Sequence, residues 1–139
     1  MHSKLICAVV LLLAGTSASA QGGDALPSKL EGKWTVVGNA GVFVDNVIVM
    51  LDRTAVGAVA GRLSWTGIGC GTKDEPFTGN WDGKQLTFEA ALTANNNTRR
   101  ANANCAEGKS RFVLTRMGSK FEGTAVNSAG VSASLSLSP

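Results

Sequence analysis

Tyrosine is absent from the 139 residues, and the only histidine is His2. Without a second imidazole, a metal centre built on histidine has no ligand set, since structural and catalytic zinc sites take three or four Cys, His or carboxylate ligands. Cysteine occurs three times, at Cys7, Cys70 and Cys105, and proline three times. Charged residues make up only 17% of the chain, with 13 Lys+Arg against 10 Asp+Glu. That formal excess of +3 is weak and spread out, so no polyanion-binding face is expected and nucleic acid is not among the expected partners. No apolar run reaches the roughly 20 residues that a membrane-spanning helix needs.

The longest apolar run is the first one. Met1–Lys4 supplies a positive start, Leu5–Gly15 is apolar, and Ala18-Ser19-Ala20 has the small-x-small form of a secretory cleavage site. Residues 1–20 therefore read as a signal peptide, 21–29 as a flexible leader and 30–139 as one domain. Export implies a periplasmic or extracellular protein. Cleavage after Ala20 removes His2, Cys7 and Lys4, leaving a chain with no histidine and two cysteines. Ser-His and Cys-His nucleophilic pairs are then excluded. In an oxidising compartment Cys70 and Cys105 are expected to form a disulfide. Closing a loop of about 36 residues is worth roughly 3.8 kcal/mol in the chain-entropy model.

The rest of the chain alternates short β-rich runs with Gly, Asn and Asp. Expected strands are 33–37, 42–51, 56–65, 77–81, 84–92, 110–116, 120–127 and 131–138, with no helix. Val131 to Ser138 is the clearest, with Val131, Ala133, Leu135 and Leu137 opposite Ser132, Ser134, Ser136 and Ser138. Asp82-Gly83 between two alternating runs predicts a tight hairpin of type I′. Glycines 57 and 61 suit a strand that curls sharply. About eight strands in a meander predict an all-β, antiparallel, small up-and-down barrel, with a two-sheet sandwich as the rival.

Gly32-Lys33-Trp34 at the first strand resembles the Gly-x-Trp opening of calycins, the superfamily of lipocalin and avidin barrels. The resemblance implies a barrel whose tryptophan closes the bottom. Avidin's biotin pocket uses tyrosines, and none is present here. A second set is similar to the secreted bacterial META and HslJ-type domains. It comprises Gly69-Cys70, Phe77-x-Gly79-x-Trp81, Gly83-x-x-Leu86-x-Phe88, and Thr98-Arg99 ahead of Cys105. Gly71 stands where those domains carry an asparagine. Both resemblances imply an exported binding or envelope domain of bacterial type rather than an enzyme.

The aromatic residues Trp34, Trp65 and Trp81 are the candidate binding surface, as a stacking platform or pocket wall. Each also shares the apolar face of its own strand, and core packing is the simpler expectation. The polar tract 93–104 reads as a loop carrying recognition, with Asn96, Arg99 and Arg100 as its contact residues. Asn96-Asn97-Thr98 also fits a glycosylation sequon. Carboxylate chemistry is the enzymatic alternative, as two acids suffice for glycan hydrolysis. The candidates are Asp45, Asp52, Asp74, Glu75, Asp82, Glu89, Glu107 and Glu122. Asp82 has a turn role, Asp74-Glu75 precede Pro76 in an expected loop, and Glu89 and Glu122 fall on solvent faces. The expectation is therefore a non-enzymatic exported domain, without cofactor or metal. It would be a monomer that binds a partner protein or small ligand through loops at one barrel end. The alternatives are a carboxylate-dependent glycan hydrolase and an inhibitor of a foreign hydrolase.

Overall fold

The computed structural model describes residues 25–38, 41–67, 71–92, 108–128 and 130–139. They form eight antiparallel strands: β1 (Lys29–Gly38), β2 (Gly41–Leu51), β3 (Gly57–Gly67), β4 (Gly71–Trp81), β5 (Gln85–Leu92), β6 (Gly108–Met117), β7 (Lys120–Asn127) and β8 (Ser132–Ser138). Each strand pairs with the next, and β8 returns to β1 with Trp34 opposite Leu135. The barrel is closed, which removes the two-sheet sandwich. No helix among the described residues is long and apolar enough to cross a membrane.

Alternation drives the closure. In β5 and β8 every second residue is buried, so Leu86, Phe88, Ala90 and Leu92 face Ala133, Leu135 and Leu137 across a single core. A fully buried Leu or Phe contributes about 1.5–3 kcal/mol through water removed from its surface. The interior is tight enough that some inward positions must be glycine. A Cβ on Gly61 would strike the Met50 carbonyl oxygen and the Phe77 ring, and one on Gly79 would strike the Thr87 carbonyl oxygen and Phe88. The curl expected at Gly61 is thus a close approach of neighbouring backbone.

The two ends differ. At the foot lie the start of β1, the hairpin 82–84 and the turn at Gly118-Ser119. Leu26, within the expected leader, is buried there and donates its amide to the Thr54 carbonyl at 2.8 Å. At the mouth lie the strand ends Gly38, Gly41, Gly67, Gly71, Leu92, Gly108, Asn127 and Ser132.

Three expectations are corrected. Asp74, Glu75 and Pro76 lie within β4, not in a loop, and Glu75 is buried. Their composition suggests a turn, but the parity of Phe77, Gly79 and Trp81 continues back through Glu75. Val131 precedes β8 and is 41% exposed instead of facing inward. The 82–84 hairpin has Gly83 and Lys84 as its central residues, since Asp82 N–H donates to the Gln85 carbonyl. Gly83, at φ +98°, occupies the first central position that a II′ turn reserves for glycine.

Candidate functional site

The three tryptophans are all core residues, at 1% exposure or less. The barrel brings two of them together and separates the third. Trp34 and Trp65 approach to 5.7 Å between ring centroids, and Trp34 lies over Phe112 at 6.5 Å. Phe112 continues into a stack with Phe88 at 4.6 Å and Phe77 at 4.1 Å beyond it. This aromatic layer spans the middle of the barrel.

Trp81 belongs to the foot. It packs on Phe121 at 6.0 Å, and the Arg116 guanidinium carbon sits 5.2 Å from both ring centroids. Arg116 also donates to the Ala25 carbonyl at 2.6 Å, tying the chain ahead of β1 across the opening. The calycin resemblance implies that the Gly-x-Trp tryptophan closes the bottom. Here Trp34 lies midway along β1, and Trp81 with Arg116 forms the plug.

Above the aromatic layer the inward face mixes polar groups with Leu92, Ala125 and Ala133. Asp45 has the parity of the buried Val47, Val49 and Leu51, and it stands opposite Trp34. Glu75 stands opposite Leu63 and shares the inward face of Phe77. Ser110 is buried, and the Asn127 carboxamide accepts the Val131 amide at 2.8 Å. A cavity of about 20 Å³ lies here, lined in part by Trp34, Leu92, Ser110 and Asn127. That volume holds one water molecule. The indole N–H groups of Trp34 and Trp65 are buried without a hydrogen-bond partner among the described residues. An unpaired buried donor costs about 1–3 kcal/mol. Two buried donors, the Trp34 and Trp65 indoles, are therefore unmatched among the described residues.

Sequence reasoning passed over Asp45, Glu75, Ser110 and Asn127 as inward groups. The signal was available as parity, since each is an even number of residues from a buried apolar neighbour on its own strand. Cys70, Cys105, Asn96, Arg99 and Arg100 lie outside the described residues. The strand ends that bracket them, Gly67, Gly71, Leu92 and Gly108, all belong to the mouth.

A second feature lies on the outer wall. β4 and β5 pair only from Thr78 to Trp81, and the ladder stops below Pro76, which has no N–H to donate. A depression of about 270 Å³ opens beside this short seam, lined by Thr78, Asn80, Thr87, Glu89 and Arg111 on the outer face. Lys109 holds Glu89 at 2.8 Å and keeps its carboxyl below the usual carboxylate range, mainly through their hydrogen bond.

The fold and the site together define a closed eight-stranded up-and-down barrel with a plugged foot and inward polar groups in its mouth half. Compared with known proteins, no family model matches the chain, and neither a curated protein nor a solved structure matches it.

Proposed function

We propose that this protein is an exported, non-enzymatic bacterial β-domain that binds a partner protein or small ligand at the barrel mouth. The observation that carries the reading is the asymmetry of the two ends. At the foot, Arg116, Trp81 and Phe121 close the barrel with a tilted ring pair, a guanidinium over both rings and a charged hydrogen bond. In the mouth half, two buried indole N–H groups have no partner among the described residues, and Asp45, Glu75 and Ser110 share the inward face. Rigid scaffolds place recognition on such connections. The 93–104 tract, with Asn96, Arg99 and Arg100, supplies the contacts in this reading. A Cys70–Cys105 disulfide tethers two mouth connections, and the calycin-like kinship rests on Gly32-Lys33-Trp34 with the closed meander.

Native mass spectrometry of protein isolated from its own periplasm or medium tests the proposal. A reproducible small molecule or a stoichiometric foreign protein is expected, and consistently bare protein overturns the reading. Intact mass with and without reductant tests the disulfide, which two free thiols in the native protein would exclude.

The second reading, glycan hydrolysis, would use the inward carboxylates Asp45 on β2 and Glu75 on β4, which the register sets about four residues apart along the strands. It predicts turnover of a polysaccharide by the wild type that Glu75→Gln abolishes while leaving the fold intact. No turnover across glycan classes removes it.

A further inference from the structure

The outer wall of β7, β8 and β1 carries a charge order that only the register reveals. β8 presents outward only Ser132, Ser134, Ser136 and Ser138, all exposed. These short side chains form a low strip between two taller columns. At the level of Ser136, β7 offers Glu122 and β1 offers Lys33. One step toward the foot, at Ser138, β7 offers Lys120 and β1 offers Glu31. At Ser134 the two sides match as Thr124 and Thr35. At the mouth end they match as Val126, 45% exposed, and Val37, 68% exposed.

The two columns are therefore alike in their neutral ranks and opposite in both charged ranks. Rotation by 180° about an axis along β8 lays the β7 column of one copy on the β1 column of another at the same height. Lys33 then meets Glu122 of a second copy, and Glu31 meets Lys120, each contact occurring twice. Valine meets valine at the mouth end. A self-complementary patch of this kind is what an isologous two-fold interface requires. Within one copy, Lys33 and Glu122 are separated by two strand spacings, about 10 Å, with only a serine between them. Lys33 instead holds the Asn46 side chain at 3.2 Å, Glu31 shares its carboxylate with exposed Lys29 of its own strand at 2.5 Å, and Glu122 has no ion pair among the described residues.

We infer that the β7–β8–β1 wall is a homodimer interface, occupied by a second copy of this chain turned about β8. The monomer expected from the sequence gives way to a weak, reversible pair. The patch is about three strands wide and four ranks long, roughly 350 Å² of face per copy. That lies below a standard stable interface, so dissociation in the range of ~100 μM is expected. The serine strip lets the two walls approach closely, and the flanking charges select the mate.

Analytical ultracentrifugation of the purified protein tests this inference, run at low salt from about 10 μM to about 1 mM. The average mass of the wild type should rise toward the dimer with concentration and fall back with added salt. Lys33→Glu and Glu122→Lys each place like charges together and should each raise the dissociation constant about tenfold or more. Mixing the two variants one to one should restore pairing, because each then supplies the charge the other lost. Both substitutions are on exposed surface, and circular dichroism checks that the barrel is intact. A wild type that stays monomeric throughout overturns the inference. Single variants that pair as well as wild type, or a mixture no better than either alone, also overturn it.

Discussion

Replacing Arg116 by methionine keeps the aliphatic bulk at the foot but removes the guanidinium. The two ring contacts, each at 5.2 Å, are worth about 0.5–1 kcal/mol apiece, approaching 2 where water is excluded. The hydrogen bond to the Ala25 carbonyl at 2.6 Å has a charged donor and adds about 1.5–3 kcal/mol. Solvent replaces part of that bond in the variant, because the carbonyl lies in an exposed contact. A net loss of about 2–4 kcal/mol is expected, and these terms overlap, so the lower half of the range is favoured. Urea unfolding followed by tryptophan fluorescence measures it. With a slope of about 1–3 kcal/mol per molar, the midpoint should fall by about 1–2 M at unchanged slope. Hydrogen exchange adds a local readout. The Leu26 amide, bonded to Thr54, should lose protection ahead of the strands once its neighbour Ala25 is released. Arg111→Met, on the outer wall, is the control and should shift the midpoint by less than the error of fitting. A loss below about 1 kcal/mol for Arg116→Met, or one equal to the Arg111 control, would refute the plug as a source of stability.

Other expected outcomes follow from the same contacts. Gly79→Ala should destabilise by at least the 1–3 kcal/mol typical of overpacking, because its Cβ meets the Thr87 carbonyl and Phe88; thermal unfolding checks this against Gly118→Asn, where space is open and asparagine tolerates the positive φ. Asp82 accepts the amides of Gln85 at 2.6 Å and Lys84 at 2.8 Å, which hold its carboxyl below the ordinary value. A depressed carboxyl contributes stability above its unfolded pKa and loses it as pH falls through the folded one. Chemical unfolding across pH 2–6 should therefore show an acid-side decline that Asp82→Asn reduces, and identical pH profiles would exclude the contribution. Trp34→Phe removes an unpartnered buried donor along with ring area, so its cost should be smaller than that of Trp81→Phe by about 1–3 kcal/mol; equal costs in urea would show that the indole is satisfied.

Strand order and the barrel were legible because the apolar period of two persists through most of the chain. Ala133, Leu135 and Leu137 needed no tertiary information, since their serine neighbours mark the opposite face. The mouth half of β4 was not legible by composition. Asp74, Glu75 and Pro76 are turn-forming residues on local preference, yet pairing of Gly71–Trp81 with β3 at eleven positions outweighs that preference. The site was half legible. Parity placed all three tryptophans in the core, but their grouping depends on closure across the barrel. Trp34 therefore meets Trp65 and Phe112, while Trp81 joins Arg116 at the foot. The charge order on the β7–β8–β1 wall was illegible for a related reason. Lys33 and Glu122 are far apart in sequence, and only the return of β8 to β1 places them at one height.

In the proposed reading, closure, binding and pairing fall on three separate parts of the barrel. Closure of the foot rests on Trp81, Phe121 and Arg116, whose packed rings and hydrogen-bonded guanidinium leave little for a ligand to satisfy. The mouth half carries inward Asp45, Glu75 and Ser110, and there the Trp34 and Trp65 N–H groups lack partners among the described residues. Such groups reduce stability where an apolar layer would increase it, and sites that break a packing rule are where function is expected. The β7–β8–β1 wall is built from outward residues that contribute almost nothing to the core. Substitutions at sites far apart with no shared partners act additively. Foot variants should therefore shift unfolding without changing pairing of the wall. Lys33→Glu should shift pairing without changing the unfolding midpoint at low protein concentration. A barrel in which the two effects moved together would have a wall coupled to its core, and the assignment of separate tasks would fail.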